Sequence, residues 1–428
     1  MLTFYISSKR GKVRRKAEML SDRQKDTIQS STNTPATSTK PKRTLKLRNL
    51  AARSVLVLLF VIGFFLSMIP SGRATTRAAL LLPSLITASE LESMRLIHEP
   101  VRRTQLTIPS RNGLVSLDVY APTSPTSPIP GVRGGIVIIP GVGDNRKVPQ
   151  LVNFSQSLAQ VGLIVMVMTT PTLIKYDISV QDSDGVVETF KALARWPGVG
   201  TDRIGIVSFS AGASLACFAA VDPRIRDQLA FVALFGGYFD ATTLLRAFGQ
   251  RAIIVDGRKQ TWQPQIVPMH TLSNVIMRTL PPSERTLLVN SFALSERRPL
   301  SANELARLSP AGAAAYHLLA GDQPGQVDAN LASLSPQMRE QLDELSPSRV
   351  VSSIRAPMYL LHDRADDSIP FTESRDFAAA LMRLGYPHDF TEFGIFHHVQ
   401  VRPDIGVELL GDVLEMFRIL RGVLLVSS

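Results

Sequence analysis

A regular alternation of two kinds of segment, from about residue 102 to the end, constrains this chain most. Apolar runs of strand length, such as GGIVIIPGV, GLIVMVMTTP and LAFVALFGGY, alternate with amphipathic segments such as VPQLVNFSQSLAQVG and SRDFAAALMRLG. Near-continuous apolar strands are typical of a sheet buried on both faces, and the intervening helices supply the cover. The alternation therefore predicts an α/β fold with a mostly parallel sheet and helices on both faces.

Residues 241–345 interrupt this alternation with helical signals and few strand signals. SANELARL places Ser301 and Glu304 at the spacing of a capping box, and SPQMREQLDEL has the pattern of another helix. We predict a helical cap insertion over 241–345 that covers a site at the carboxyl edge of the sheet. The alternative is a packing appendage with no role in access to the site.

The positive charge of the chain is confined to its N-terminal part. Of the 47 basic and 36 acidic residues, 14 and 3 lie in residues 1–53, which accounts for the whole net charge of +11. The rest of the chain is balanced, so its charge does not indicate a nucleic-acid partner. Residues 1–49 also contain a Ser/Thr/Pro-rich stretch with few apolar side chains, a composition that predicts a disordered basic tail.

An uncharged segment follows this tail. The 19 residues between Arg53 and Arg73 include SVLVLLFVIGFFLSMI. As a helix they would be about 28 Å long, close to the ~30 Å hydrocarbon core of a bilayer. We predict a transmembrane signal anchor over 50–72, rather than a buried core helix or a cleaved signal peptide. Because the basic side stays cytoplasmic, a juxtamembrane linker (73–100) and a domain over 101–428 are expected on the extracytoplasmic side.

The segment RIGIVSFSAGASLA joins a strand of mostly β-branched residues to a helix rich in small residues, with Ser208 and Ser210 near the turn. A serine at a strand-to-helix turn is typical of a nucleophile elbow. Its hydroxyl needs a base, a group that orients the base, and N–H donors for the oxyanion.

Two clusters near the end of the chain contain candidates for the base and the acid. His397 and His398 follow the last predicted strand in FGIFHHVQV. The aspartates of YLLHDRADDSIP follow the strand before it; they are Asp363, Asp366 and Asp367. Loops at strand ends can hold such groups over the edge of a sheet, although aspartate is also common in turns.

Together, IVSFSAGASLA, SSIRAPMYLLHDRADDSIP and EFGIFHHV resemble the α/β-hydrolase family, in particular its dienelactone-hydrolase-like and esterase members, over residues 102–428. The chain order Ser, Asp, His is that of the family. Its small-x-Ser-x-small motif matches with Ser210 at the centre and Ser208 in place of the usual first glycine. Centring the motif on Ser208 would put the bulky Ile206 at a small position.

The resemblance implies a catalytic triad of Ser210, Asp366 and His397. The family pattern G-x-x-D-x-x-V-P matches 363–370 and selects Asp366, with Asp367 as the alternative. The pattern G-x-x-H matches 394–397 and selects His397 ahead of His398.

The resemblance also places an oxyanion turn at PGVGDN, so the backbone N–H groups of Val142 and Ala211 are expected to form the oxyanion hole. Two positions depart from the family pattern. Pro140 stands where histidine is usual, and Asp363 stands where glycine is usual.

The function implied by the resemblance is that of a membrane-anchored serine hydrolase acting on a small-molecule or lipid-like ester. No cofactor, metal or nucleic acid is expected. Two alternatives remain: an acyltransferase with the same triad, and a hydrolase-like binding or scaffold protein without turnover. Pro140 and Asp363 motivate the second alternative.

Overall fold

The structure is a computed structural model that describes residues 57, 63–64, 69–87, 100–123, 133–398, 400–401 and 410–426. The chain divides into two units, Met1–Leu58 and Leu59–Ser428, and the fold described below belongs to the second. The predicted tail (1–49) and most of the predicted anchor (50–72) lie outside the described residues. In the part of the chain that is described, no helix is both long enough and apolar enough to cross a membrane.

The second unit is built on a sheet that has eight strands within the described residues. Their spatial order is β1-β2-β4-β3-β5-β6-β9-β10. The strands span Val101–Ser110 (β1), Gly113–Pro122 (β2), Arg133–Ile139 (β3), Ile164–Thr169 (β4), Val199–Phe209 (β5), Leu229–Phe235 (β6), Met358–Asp363 (β9) and His388–Phe393 (β10). β2 is antiparallel to both neighbours, and every pair from β4 to β10 is parallel. This arrangement is the α/β-hydrolase fold, so the predicted fold class is confirmed for the sheet and its helices.

Helices cover both faces of the sheet. One face packs against α1 (Pro70–Thr87), α2 (Pro149–Gln160) and α14 (Leu410–Val426). The other face packs against α4 (Ser183–Ala194), α5 (Gly212–Ala220) and α13 (Phe371–Arg383), and the short α3 (Pro171–Ile174) follows β4. The strands are apolar on both sides because each of their faces is buried against a helix layer.

Helix α1 lies where the sequence predicted the end of an anchor and a linker. Its small residues Ala74 and Ala78 are fully buried against the domain. Arg421 of α14 donates hydrogen bonds to Thr75 Oγ1 (2.9 Å) and Ser71 Oγ (2.6 Å). The folded domain therefore includes residues upstream of position 101.

Residues 241–345 form a layer with its own apolar core between β6 and β9. Its seven α-helices are Ala241–Gln250 (α6), Ile266–Ile276 (α7), Pro282–Ser291 (α8), Ala302–Leu305 (α9), Pro310–Ala320 (α10), Val327–Ser333 (α11) and Pro336–Glu344 (α12). The capping box of Ser301 and Glu304 is confirmed at the start of α9. The layer also contains a hairpin that the sequence pattern did not indicate, with strands Ala252–Val255 (β7) and Arg258–Thr261 (β8).

The two chain segments that enter and leave this layer are bonded to each other. Tyr238 donates its hydroxyl hydrogen to the Leu345 carbonyl (3.1 Å), and the Ser348 N–H donates to the Phe239 carbonyl (3.0 Å). These bonds join the two connecting segments at the base of the layer. A gating role for it stays a prediction.

Candidate active site

Ser210 occupies a sharp turn between β5 and α5. Its φ is +53°, a left-handed value that is uncommon for a residue with a side chain and is found at functional sites. The Ser210 N–H donates to the Phe235 carbonyl (2.9 Å), and the Ser210 carbonyl accepts from the Ala213 N–H (3.0 Å). The turn therefore has the geometry of a nucleophile elbow centred on Ser210.

Two glycines make room for this elbow. A Cβ at Gly212 would lie 2.8 Å from Ile139 Cγ2, and a Cβ at Gly237 would lie 2.4 Å from the Cβ of Ala213. Both distances are shorter than a normal carbon–carbon contact. The sequence pattern indicated Gly212 as a small position, whereas it gave no signal for Gly237, which follows a different strand.

Ser208 is a strand residue and not a site residue. It pairs with Ile139 of β3 and Leu234 of β6, and its side chain is fully buried. Within the described residues its hydroxyl has no hydrogen-bond partner. Its role in the structure is to be small where the sheet meets the elbow helix.

Asp366 follows β9 and its carboxylate is almost completely buried. Oδ1 accepts hydrogen bonds from the N–H groups of Ser368 (2.8 Å) and Ile369 (3.0 Å), and Oδ2 accepts from His398 Nδ1 (2.6 Å). Burial raises the pKa of Asp366, but the facing imidazoles of His398 and His362 outweigh burial and hold that pKa well below its ordinary value. Asp366 is therefore a carboxylate that can orient an imidazole and stabilise its protonated form.

The histidine that contacts Asp366 is His398. The predicted base, His397, contributes its backbone to the short strand β11 (Phe396–His397), which pairs with β12 (Gln400–Val401). The side chain of His397 lies outside the described part of the structure. His398 has φ +57° at the turn between these strands, and this turn brings its ring to Asp366.

A second imidazole, that of His362, lies behind the pair. His362 Nε2 is 2.9 Å from the Ile369 carbonyl and 3.3 Å from Asp366 Oδ2. Its Nδ1 is 2.7 Å from Ser374 Oγ. Because a carbonyl can only accept, His362 Nε2 carries a proton and donates it to the Ile369 carbonyl. Sequence analysis did not identify His362, which lies within β9.

Gly236 packs directly on the aspartate–histidine pair. It follows β6 with φ +61°, and a Cβ there would lie 3.2 Å from Asp366 Oδ2 and 3.4 Å from His398 Nδ1. Sequence reasoning did not identify this position. The run LAFVALFGGY predicted only a strand, with no indication of which residues would lie against its end.

Asp363, one of the two departures from the family pattern, connects the acid loop to the histidine loop. Its Oδ1 accepts from the Ala365 N–H (2.7 Å), and its Oδ2 accepts from the Phe396 N–H (2.7 Å). The side chain is fully buried. A charged residue at this position therefore fixes the two loops that carry Asp366 and His398.

Asp367, the alternative acid, faces the helical layer instead of His398. Its Oδ2 accepts from Gln265 Nε2 (2.9 Å), and its carbonyl accepts from the Gln265 N–H (2.9 Å). Trp262 Nε1–H donates to the Asp366 carbonyl (2.8 Å). Trp262 and Gln265 of the insertion thus bind the loop that carries Asp366 and Asp367.

The turn that contains Val142 is fixed by a neighbouring amide. Asn145 Nδ2 donates to the carbonyls of Val142 (2.8 Å) and Pro140 (3.2 Å), which flank the Gly141–Val142 peptide. Within the described residues, the N–H groups of Val142 and Ala211 have no hydrogen-bond acceptor. Two free backbone donors beside a serine are what an oxyanion needs. Pro140 supplies no donor here, and none is required of its side chain.

A cavity of about 530 Å³ connects these groups. Ser210 and His398 line it together with Val142 and Ala211, so the candidate nucleophile, base and oxyanion donors face one space. Among the described residues, no cluster of three or more His, Cys, Asp or Glu side chains could hold a metal ion. The arrangement is suited to acyl transfer through a serine.

No family model matches this chain, and neither does any curated protein. Similar solved structures include a puromycin-hydrolyzing peptidase of Mycobacterium tuberculosis, with 16% identity and a TM-score of 0.45 over 76% of this chain and 39% of that chain. Another is the 2,6-dihydroxy-pseudo-oxynicotine hydrolase, with 15% identity and a TM-score of 0.41 over 76% of this chain and 68% of that chain. A third is the Pyrococcus horikoshii acylaminoacyl peptidase, with 14% identity and a TM-score of 0.42 over 75% of this chain and 40% of that chain. The chain spans about two fifths of the length of the two peptidases. The fold assignment rests on the strand order.

Proposed function

We propose that this chain is a serine hydrolase that cleaves an ester-type acyl substrate, with Ser210 as nucleophile, His398 as general base and Asp366 as the group that orients the base. One observation carries the proposal. The buried Asp366 holds His398 by a 2.6 Å hydrogen bond, and His398 lines the same cavity as Ser210, which has the left-handed backbone of an elbow.

The proposed reaction follows from these positions. Ser210 Oγ attacks the substrate carbonyl while His398 Nε2 takes the hydroxyl proton. The N–H groups of Val142 and Ala211 bind the oxyanion, and His398 then returns the proton to the departing alcohol. Water, activated by the same imidazole, releases the acyl group from Ser210. Asp366 stays ionised throughout because its pKa is held low, so it stabilises the imidazolium in both steps.

A non-catalytic binding protein is the alternative from a different class. It was motivated by Pro140 and Asp363, and the contacts of both residues weaken that motive. Pro140 leaves the Val142 N–H in place, and Asp363 bonds the two loops of the aspartate–histidine pair. An acyltransferase would use the same residues and differ only in the acceptor that replaces water.

The membrane anchor and the extracytoplasmic position of the domain remain part of the proposal. They rest on the uncharged segment that follows the basic tail, and on the tail itself.

Labelling with a fluorophosphonate tests the proposed chemistry, because the probe reacts much faster with an activated serine than with an ordinary hydroxyl. We expect the full chain to be labelled at Ser210, and Ser210→Ala to remove the label. Ser208→Ala is the matched control and should label normally. A folded wild-type chain that takes up no probe would contradict the proposal.

A further inference from the structure

We infer that the part of the cavity between the sheet and helices α2 and α14 binds an extended alkyl chain of the acyl group. This inference rests on the proposed function and specifies its substrate class. It concerns a region on the far side of the sheet from α5, the helix that follows the nucleophile.

The cavity has two parts, one on each side of the strand ends. One part lies under the helical layer, where residues of α7 and α12 line it. The other part, here called the α14 arm, lies between the sheet and the two helices α2 and α14. Ser210, Phe209 and His398 stand where the parts meet, since Phe209 ends β5 directly before the elbow and all three line the cavity.

The strand wall and the α14 wall of this arm are apolar. The strands contribute Ile136, Val207, Phe209, Ala233, Phe235 and Leu361, and α14 contributes Met416, Ile419, Leu420, Val423 and Leu424. The five α14 residues have the i, i+3, i+4, i+7, i+8 spacing of one helix face. These strand and α14 side chains carry no strong hydrogen-bonding group, whereas α2 lines the cavity with the polar Gln150 and Asn153 as well as with apolar residues.

The space in this arm arises from one small side chain, that of Ala233. Ala233 lies on β6 between Val207 of β5 and Tyr359 of β9. Its short side chain leaves space above the strand face beside the larger Phe209 and Phe235. The apolar face of α14 lies opposite this part of the strand face. The strand face and α14 are therefore the two surfaces that an elongated apolar ligand would contact in this arm.

The part of the cavity under the helical layer has polar side chains among the apolar residues of α7 and α12. Tyr176, Gln265, Thr271 and Ser368 line the cavity on that side. The apolar portion of a substrate is assigned to the α14 arm because every residue that the strands and α14 contribute there is apolar, and the polar portion is assigned to the layer side.

The acyl group, rather than the alcohol, belongs in the α14 arm. In the acyl-enzyme the acyl chain stays bonded to Ser210 after the alcohol has left. The arm begins at Phe209, the residue bonded to Ser210, so the chain can remain in place through both steps. Each methylene buried there strengthens binding by about fourfold.

Paired alkyl fluorophosphonates with ethyl and dodecyl chains, reacted with the full chain in detergent, test the inference. The alkyl chain of these probes stands for the acyl chain, and the rate of labelling at Ser210 is measured. We expect the dodecyl probe to label the wild-type chain at least tenfold faster than the ethyl probe. Ala233→Phe should fill the arm and abolish this preference while the ethyl probe still reacts. Leu420→Trp, a change at a half-buried α14 position, should act in the same direction if Ala233→Phe does not fold.

Val267→Phe is the control, since it adds comparable bulk on the layer side of the cavity. It should keep the preference for the long chain. Equal labelling of the wild type by both probes would overturn the inference and leave the proposed function standing, as would a long-chain preference that survives in folded arm variants. No labelling by either probe would contradict the proposed function, and with it this inference.

Discussion

The buried carboxyl of Glu373 gives the most quantitative prediction. This residue of α13 bonds to the chain segment that enters the helical layer. Its Oε2 accepts from the N–H groups of Phe239 (2.9 Å) and Asp240 (3.0 Å), and its Oε1 accepts from Thr243 Oγ1 (2.6 Å). Burial raises the pKa of Glu373 to about 7 from 4.5, and these hydrogen bonds only partly oppose it.

The raised pKa sets the sign of the pH dependence. Between about pH 4.5 and 7, the folded chain holds a proton on Glu373 that the unfolded chain has released. The free energy of unfolding contributed by this group must therefore fall as pH rises through that window. At 1.36 kcal/mol per pKa unit, the loss is on the order of 3 kcal/mol, and it is complete above about pH 7.

Glu373→Gln removes this titration and keeps the hydrogen bonds. The amide oxygen can accept from the two N–H groups, and the amide nitrogen can donate to Thr243 Oγ1. The Thr243 hydroxyl then donates to the Asp240 carbonyl, which lies 2.9 Å from Oγ1. We expect the variant to match the wild type near pH 4.5 and to exceed its stability at pH 8.

Urea unfolding of both proteins from pH 4.5 to 8 measures the difference between the two curves. Glu340→Gln, the same change at an exposed position of α12, controls for the loss of one charge. Parallel curves for wild type and Glu373→Gln would refute the reasoning, because they would mean that Glu373 does not titrate in this window.

Three further predictions concern the elbow, the aspartate–histidine pair and the topology. Ser208→Ala should raise the free energy of unfolding by about 1–3 kcal/mol, because it removes a buried hydroxyl without a partner, and activity should persist; urea unfolding and an ester assay check both. Gly236→Ala should lower kcat at least tenfold with little change in KM, because its methyl group would press on Asp366 and His398; an unchanged kcat would show that the pair tolerates the displacement. Protease added to intact cells should remove the 101–428 domain and spare the basic tail, and protection of the whole chain would count against the proposed orientation.

The sequence predicted those parts of the fold that depend on local periodicity. Apolar runs bounded by turns placed the strands of the sheet, since a strand buried on both faces must be apolar along its whole length. The capping box at Ser301 and Glu304 predicted a helix start from two side chains alone. The β7–β8 hairpin was missed because its second strand, RKQT, is polar and exposed.

The parts of the site that depend on contacts between distant segments could not be predicted. Gly236 and His362 follow or lie within strands that are remote in sequence from His398, and only the sheet order brings them together. The choice between His397 and His398 depends on the left-handed backbone of His398, which a spacing motif does not encode. Asp363 was an unexplained charge in the sequence, and its partner Phe396 is 33 residues away.

The steady-state hydrolysis of a short p-nitrophenyl ester by His398→Ala and His397→Ala tests the central claim most directly, with Ser210→Ala as reference. The aspartate–histidine pair predicts that His398→Ala loses about 10⁴-fold in kcat, as does Ser210→Ala, because the members of a triad act as a unit. His397→Ala should retain most of the wild-type rate. A His398→Ala variant with near wild-type turnover, beside an inactive His397→Ala, would contradict the account.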